Sequence, residues 1–284
     1  MASTFFGLHI GSSALSSFQV ATNTTANNIA NVKTTGYTRQ EATLQAKDAI
    51  NVTARYGSVG TGVTVTSIKQ QRDLYYDNKY WENNSCYGRY EQKLYYMEQI
   101  QNYFKDNGSS VKGFSSVFSQ MFSDLDTLRS KPSDKTVRNQ FISSAQSLCT
   151  YFNQMSDNLS KLQDDCNEEI RNNVDKINSI SEKISLLNKE INQIETGTGV
   201  EAGSLRDERA NLIDSLSKIV NVSYNETEVQ NTNGDNLGGT NFSLYINGEK
   251  VVEGKDYRKL ICIKYIGKIL RWSFPRQPEP QGEA

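Results

Sequence analysis

The feature that most restricts the fold of this chain is an uninterrupted helical pattern from about Asp134 to Glu195. Its apolar residues are mostly four and three positions apart, which is the spacing of a helix that packs along other helices. From Leu159 the steps become three, four, four, four and three, a stutter that locally unwinds a supercoil without ending the helix. A helix of roughly 60 residues is about 90 Å long and needs partner helices along its apolar side. The predicted core positions are Phe141, Ala145, Leu148, Phe152, Met155, Leu159, Leu162, Cys166, Ile170, Val174, Ile177, Ile180, Ile184, Leu187, Ile191 and Ile194.

Two shorter helical segments precede it and are available as partners. The first runs from about Arg72 to Gly108, with an apolar seam at Tyr80, Tyr87, Tyr90, Leu94, Met97 and Phe104. Interleaved aromatic residues can also stack on nucleic-acid bases, but no basic stripe accompanies them, so packing between helices is the preferred interpretation. The second places one face at Phe114, Phe118, Met121, Phe122, Leu125 and Leu128, and Pro132 then breaks the chain before Ser133 or Asp134 caps the long helix.

The N-terminal segment, residues 4 to 32, carries a weaker seam of the same spacing at Leu8, Gly11, Leu15, Phe18, Thr22, Thr25, Ile29 and Val32. Asparagines recur every four residues on a neighbouring stripe, at Asn23, Asn27 and Asn31. A helix that is apolar on one side and lined with amides on another is predicted to be surrounded by partners that supply hydrogen bonds. The alternative is a solvated amphipathic helix. Either Asn31 or Gly36 can end it, because both residue types accept the left-handed conformation.

Two stretches have β character. Between Thr38 and Ser67 the chain is rich in β-branched residues and glycine, and Val63 and Val65 alternate with threonines as in a half-buried strand. No Gly-Lys-Ser/Thr follows the glycines at 57, 60 and 62, so they indicate a turn and not a phosphate loop. From Ile219 to Gly254 a second β stretch includes Asn247-Gly248, the signature of a type I′ hairpin.

Between them, Leu205 to Leu216 reads as a short amphipathic helix with Leu205, Leu212 and Leu216 turned inward. Its charged residues Arg206, Asp207, Glu208 and Arg209 are interpreted as surface ion pairs. The predicted fold is therefore mainly α: an N-terminal axial helix, a short β linker, a long coiled-coil-like helical bundle, and a small antiparallel β unit after the bundle. The corresponding domain limits are residues 1–36, 37–71, 72–218, 219–267 and an unassigned, disordered tail at 268–284.

Composition argues against several functional classes. With 31 basic and 32 acidic residues the chain has no net charge to attract nucleic acid or an anionic membrane. The N-terminus lacks an apolar run long enough for a membrane span or a secretory signal peptide. The four cysteines have no metal-binding or redox spacing, and one histidine offers little for catalysis. We expect no metal, no cofactor and no enzymatic activity.

Several ordered segments resemble a known family. Ser3 to Leu8, Asn28 to Val32 and Thr35 to Gln40 resemble the N-terminal signature of the bacterial flagellar axial proteins, which comprise rod, hook and hook-associated proteins. Four later stretches are similar to the hook-associated members: Gly62 to Asp73, Pro132 to Asp134 with Arg138, Leu205 to Ser217, and Phe242 to Gly254.

The resemblance implies a structural protein that is exported through the flagellar type III apparatus without a cleaved signal peptide and forms a ring between hook and filament. Implied partners are copies of itself, the hook protein below, a second junction protein above, and the export apparatus with its chaperone. It assigns an assembly interface to Leu8, Leu15, Phe18, Asn27, Asn28, Ile29, Asn31 and Val32. It also assigns a signature turn to Gly36, Tyr37 and Arg39, and a bundle-helix motif to Leu205, Arg206, Asp207, Arg209, Leu212 and Leu216.

One departure from the family lies after Gly254. Members of the family are considerably longer and end in a helix that pairs with the N-terminal helix, whereas here a basic, apolar segment leads into a proline-rich tail. The sequence therefore predicts a truncated or altered form in which residues 1 to 36 are disordered. Two alternatives stay open: a hook or rod subunit, which shares residues 27 to 40 but lacks the helix at 134 to 195, and a cytoplasmic coiled-coil scaffold.

Overall fold

The structure, a computed structural model, describes residues 5–51, 57–106, 113–232, 234, 236–264 and 270–273. Its helices are α1 (Phe6–Ala30), α2 (Leu74–Tyr103), α3 (Phe114–Ser130), α4 (Lys135–Glu195) and α5 (Gly203–Ser217). Its strands are β1 (Gln40–Ala46), β2 (Ile50–Asn51), β3 (Ser58–Val59), β4 (Val63–Gln70), β5 (Val222–Gln230), β6 (Asn236–Ile246), β7 (Glu249–Glu253), β8 (Asp256–Tyr257), β9 (Ile261–Lys264) and β10 (Leu270–Ser273). The predicted fold class, mainly helical with a small antiparallel sheet after the helices, is confirmed.

The long helix α4 forms where its spacing predicts it. It starts with an Asp134 side chain that accepts the Thr136 N–H at 2.8 Å, and Arg138 Nε donates to the Pro132 carbonyl at 2.7 Å. These two bonds explain the Pro-Ser-Asp and Arg138 motif as a helix start. Most of its fully buried core lies in the second half, at Val174, Ile177, Ile180, Ile184, Leu187 and Ile191. The predicted core positions Phe152, Leu159 and Ile194 are instead exposed.

The chain divides into two compact units, one made of residues 1–86 with 177–259 and the other of residues 87–176 with 260–284. The first unit contains α1, the antiparallel pair β1 and β4, α5, and a sheet in the order β5-β6-β7-β8. Asn247 and Gly248 both have positive φ, 50° and 86°, as the predicted type I′ turn requires. The core of this unit combines one face of the sheet with α4 and α5, at Ile184, Ile191, Ile213, Leu216, Phe242, Leu244, Ile246, Val251 and Val252.

The second unit has partly buried polar contacts between its helices. Gln92 Nε2 and the Tyr96 hydroxyl, both on α2, donate to Glu169 Oε2 on α4, with the Gln92 bond at 2.7 Å. Burial first and then this glutamate raise the pKa of Tyr96. Asp124 on α3 is buried and accepts bonds from the Gln120 and Gln140 amides at 3.0 and 3.2 Å. Burying these groups is tolerated because each is hydrogen-bonded.

The predicted packing of the α2 seam is wrong. Tyr80, Tyr87, Tyr90, Leu94, Met97 and Phe104 are 53–63% exposed. The face that packs contains Trp81, whose indole donates to Asp214 at 2.6 Å, together with Gln92 and Tyr96. The prediction failed because aromatic residues at helical spacing were assumed to face inward. The hydrogen-bond acceptors Glu169 on α4 and Asp214 on α5 instead bind the face of α2 that carries hydrogen-bond donors.

The disorder expected for residues 1 to 36 is not observed over residues 5–36, since α1 is a continuous helix and its end is held by the rest of the first unit, while residues 1–4 lie outside the described part of the chain. The predicted domain limits stay predictions, and most of the predicted tail at 268–284 lies outside the described residues. No described helix is long and apolar enough to cross a membrane.

Candidate assembly site

Helix α1 has two faces of different character. Toward its own chain it presents small polar residues: Ser17 and Thr24 are buried, and the Ser17 hydroxyl donates to the Val63 carbonyl at 3.1 Å. The approach is close, because a methyl group added to Gly62 would lie 2.2 Å from the Ser13 oxygen. The exposed side of α1 carries Leu8, Leu15, Phe18 and Ile29, and Val32 follows in the turn after the helix; these residues are 58–76% exposed. We call these five residues the α1 stripe.

Asn28 fixes the end of α1 to the first residue of β1. Its amide nitrogen donates to the Gln40 carbonyl at 2.8 Å, and its oxygen accepts the Gln40 N–H at 2.9 Å. The Tyr37 hydroxyl donates to the same oxygen at 2.8 Å. A carboxamide offers the donor and the acceptor that this pairing needs, as a neighbouring strand would. Asn28 therefore supports the fold of its own chain, and the assembly contact that the resemblance assigns to it stays a prediction.

The other two predicted asparagines also make internal bonds. Asn27 donates to the Tyr37 hydroxyl at 3.1 Å, and Asn31 donates to the side chain of Asn27 at 2.9 Å. Asn31 caps the helix with φ −98°, so the left-handed position is Gly36, at φ +78°. Of the two stops that the sequence allowed, the helix ends at Asn31 and the chain reverses at Gly36.

The signature turn docks on α5. Asp207 is buried and accepts the Thr38 N–H at 3.2 Å and the Gln70 amide at 2.8 Å. Gln70 also donates through its amide to the Gly203 carbonyl at 2.9 Å and through its backbone N–H to Glu201 at 3.1 Å. The N-terminal signature and the α5 motif, about 170 residues apart in sequence, thus form one structural joint. We call it the α5 joint.

Gly36 is required in the α5 joint for two reasons. Its positive φ disfavours any residue with a Cβ, and an added methyl group would lie 1.7 Å from Asn211 Oδ1 on α5. Gly36→Ala is expected to lower the free energy of unfolding by about 2 kcal/mol, about half of it from the backbone conformation. Urea denaturation of the whole chain measures this. The matched control is Gly57→Ala, because Gly57 has a similar φ of +72° and open space around it.

If Gly36→Ala lowers stability no more than Gly57→Ala, Asn211 does not restrict the turn. If Asn211 does restrict it, adding Asn211→Ala to Gly36→Ala recovers the difference between the two variants, since the clash involves that side chain alone.

Arg209 of the α5 motif is buried and Arg206 is partly buried, which corrects the interpretation of this segment as a set of surface ion pairs. Arg206 binds both oxygens of Glu195 at 2.7 and 2.8 Å, and its side chain is 16% exposed. Arg209 donates to Glu226 at 3.1 Å and to Asn188 at 2.9 Å, and lies 4.0 Å from the centre of the Phe242 ring. The interpretation failed because the acidic partners come from the end of α4 and from β5, not from Asp207 and Glu208. Leu216 is fully buried as predicted, whereas Leu205 and Leu212 are only half-buried.

Glu226 links the two arginines and gives the first unit an acid-sensitive contact. Burial alone would raise its pKa, but Arg209 and Arg206 outweigh burial and hold the pKa below the ordinary value of 4.5. A carboxylate with a lowered pKa stabilises the fold above its ordinary pKa, and this contribution is lost as pH falls through the folded-state value. The free energy of unfolding of the wild type is therefore expected to approach that of Glu226→Gln between neutral pH and about pH 3. An equal difference at every pH would contradict this assignment.

A groove of about 580 Å³ lies between the second half of α1 and the start of β1. Six of the predicted residues line it: Asn28, Ile29, Asn31, Val32, Tyr37 and Arg39. Leu8, Leu15 and Phe18 do not line it, and Arg39 is held by its carbonyl, which accepts the Gln71 N–H at 2.8 Å. Within the part of the chain that the structure describes, no group of three His, Cys, Asp or Glu residues could hold a metal ion.

Comparison with known proteins decides the family. The family model described as the flagellar hook-associated protein FlgK helical domain matches residues 97–265, which is more than half of the chain. The chain belongs to the flagellar hook-associated protein FlgK family. A second model, for flagella basal body rod proteins, matches residues 8–38, the N-terminal signature that the sequence also relates to rod and hook subunits. The match over the helices separates the FlgK family from those alternatives and from a cytoplasmic scaffold.

Relatives extend this match over most of the chain. The flagellar hook-associated protein 1 of Bacillus subtilis is 34% identical over 234 residues, covering 80% of this chain and 46% of the relative. The protein of the same name from Salmonella typhimurium is 32% identical over 257 residues, covering 88% of this chain and 43% of the relative. The chain thus spans less than half the length of these relatives.

A solved structure, that of the flagellar hook junction protein FlgK from Burkholderia pseudomallei, has the same fold. It matches with a TM-score of 0.59 at 20% identity and covers 72% of this chain and 35% of that chain. The arrangement of helices and β unit is therefore that of the FlgK family.

Proposed function

We propose that this chain is a structural component of the bacterial flagellum that joins hook to filament as a ring of subunits. Family membership supports this role, since the relatives are hook-associated proteins and the solved structure is that of a hook junction protein. The role uses the chain as a mechanical adaptor and involves no catalysis, no cofactor, no nucleic acid and no membrane insertion.

The observation that carries the proposal is the α1 stripe. Because the other side of α1 is held by Ser17, Thr24 and Asn28, the stripe is presented in a fixed direction, and it is exposed among the residues that the structure describes. Burying each of these large apolar side chains against a neighbour contributes roughly 1–2 kcal/mol. Four of them on one helix and a fifth in the turn that follows favour a permanent contact.

The contacts of the stripe would be with copies of the same chain, with the hook protein below and with the second junction protein above. The signature turn at Gly36, Tyr37 and Arg39 would direct the chain from the inner tube to the helical units. Delivery would use the flagellar export apparatus and its chaperone, with no cleaved signal peptide.

The test is the location of the chain in cells that lack their own hook-associated protein 1. Hook–basal bodies purified from cells expressing this chain should carry it at the distal end of the hook, as detected by immunogold labelling, and a strain without flagellar export should not release it. Mass spectrometry of the exported chain should find the native N-terminus. Export of the chain without any label on hooks would overturn the proposal.

A further inference from the structure

A second exposed apolar row lies on α2 and on the residue that follows it, within the second unit. It consists of Tyr87, Tyr90, Leu94, Met97 and Phe104, which are 53–63% exposed, and we call it the α2 stripe. The opposite face of the helix is fixed by Gln92 and Tyr96, which donate to Glu169 on α4. The direction of the stripe is therefore set by the fold, and a row of this size on a surface indicates a binding face.

We propose that the α2 stripe pairs in parallel with the same stripe of a second copy of the chain. The steps from Tyr87 to Phe104 are three, four, three, four and three when Gln101 is included. In heptad terms Tyr87, Leu94 and Gln101 occupy a positions, and Tyr90, Met97 and Phe104 occupy d positions. An uncharged a/d row of this kind is the seam of a two-stranded coiled coil.

The charges beside the stripe favour a second copy in parallel orientation. Lys93 occupies a g position and Glu98, five residues later, the following e position. In a parallel pair each g residue faces the next e residue of the other helix, so two-fold symmetry forms the Lys93–Glu98 pair twice. An antiparallel pair brings e positions together and would place Glu91 near Glu98, with like charges. The helix is thus complementary to itself in one orientation.

The size of the stripe fits a weak pair. The side chains of the stripe each have roughly 150–250 Å² of surface, of which 53–63% is exposed. The stripe therefore exposes about 500 Å² of surface in one copy. A pair of stripes that covers this surface fully buries about 1,000 Å², the lower limit of a specific interface. The association should therefore depend on concentration. This inference rests on the second unit alone and is independent of the α1 stripe.

Sedimentation of the whole chain over a micromolar concentration series tests the pairing. The wild type should move from monomer to dimer, and Leu94→Lys should weaken the dimer by at least about tenfold, because a charge at an a position enters the seam. Leu94 is 60% exposed, so the variant should keep its fold, which circular dichroism checks. The matched control is Ile142→Lys, whose side chain is 52% exposed on α4.

A further variant separates the two stripes. Phe18→Asp on α1 should leave the dimer intact, and this result would hold even if the proposed junction role failed. The inference is overturned if the wild type stays monomeric throughout the series, if Leu94→Lys dimerises normally, or if Phe18→Asp abolishes the dimer.

Charge reversal tests the parallel orientation. Lys93→Glu should weaken the dimer about threefold, because it faces Glu98 of the second copy twice. The double variant Lys93→Glu/Glu98→Lys should restore wild-type affinity, since the pair is re-formed with opposite polarity. Failure of the double variant to recover would overturn the parallel arrangement.

Discussion

Replacing Arg206 by alanine is expected to lower the free energy of unfolding by about 3–5 kcal/mol. The reason is the state of Glu195, whose side chain is only 3% exposed and whose two oxygens both accept bonds from Arg206. Removing the guanidinium leaves this carboxylate buried without its opposite charge. Urea denaturation of the whole chain measures the loss, and Arg129→Ala is the matched control. The Arg129–Asp126 pair is exposed, at 82% and 70%, and should contribute less than about 0.5 kcal/mol.

A double variant checks the cause of that loss. Arg206→Met combined with Glu195→Gln removes both charges and keeps an oxygen that can accept the Ala202 N–H, which Glu195 binds at 2.9 Å. It should be more stable than Arg206→Ala, because replacing a buried pair as a unit avoids the unpaired charge. If Arg206→Ala is no more harmful than Arg129→Ala, the network is not a source of stability.

Replacing Phe18 by aspartate is expected to abolish incorporation into hooks. Phe18 is 58% exposed in the free chain, so the substitution should change the free energy of unfolding by no more than about 0.5 kcal/mol. In the assembled junction the same carboxylate would be buried among apolar side chains without a partner, which reduces binding by about 100-fold or more. Quantitative immunoblotting of purified hook–basal bodies measures the incorporated fraction.

The matched control for Phe18→Asp is Leu186→Asp, a similarly exposed apolar residue on α4, at 55%. It should be incorporated normally. Equal incorporation of the Phe18 variant would mean that the α1 stripe is not the assembly surface.

Most of the fold could be predicted from local patterns in the sequence. The bounds of α4 follow from one repeating period and a capping aspartate, and the β6–β7 hairpin follows from Asn247-Gly248, because each depends on residues close in sequence. The spacing of residues in α5 also indicated that Arg209 is buried. It stands four residues after Leu205 and seven before Leu216, on the inward face of α5, but its charge suggested the surface.

Pairings across long sequence distances were not predictable in the same way. Nothing near Asn28 shows that its amide replaces a strand at Gln40, and nothing near Asp207 shows that it binds the Thr38 backbone. The family signature located these residues without giving their role. The structure assigns them to holding α1 and its turn in place, while the apolar residues of the same signature stay exposed.

The most direct test of the central claim is crosslinking from position 18. Phe18 is replaced by a photo-crosslinking amino acid, and the chains are assembled on hooks. Irradiation should join the chain to a neighbouring axial subunit or to a second copy, identified by mass spectrometry of the adduct. If the chain is present in the hook preparation and position 18 yields no product between subunits, the α1 stripe does not face a neighbour, and the account of this helix as the assembly surface is wrong.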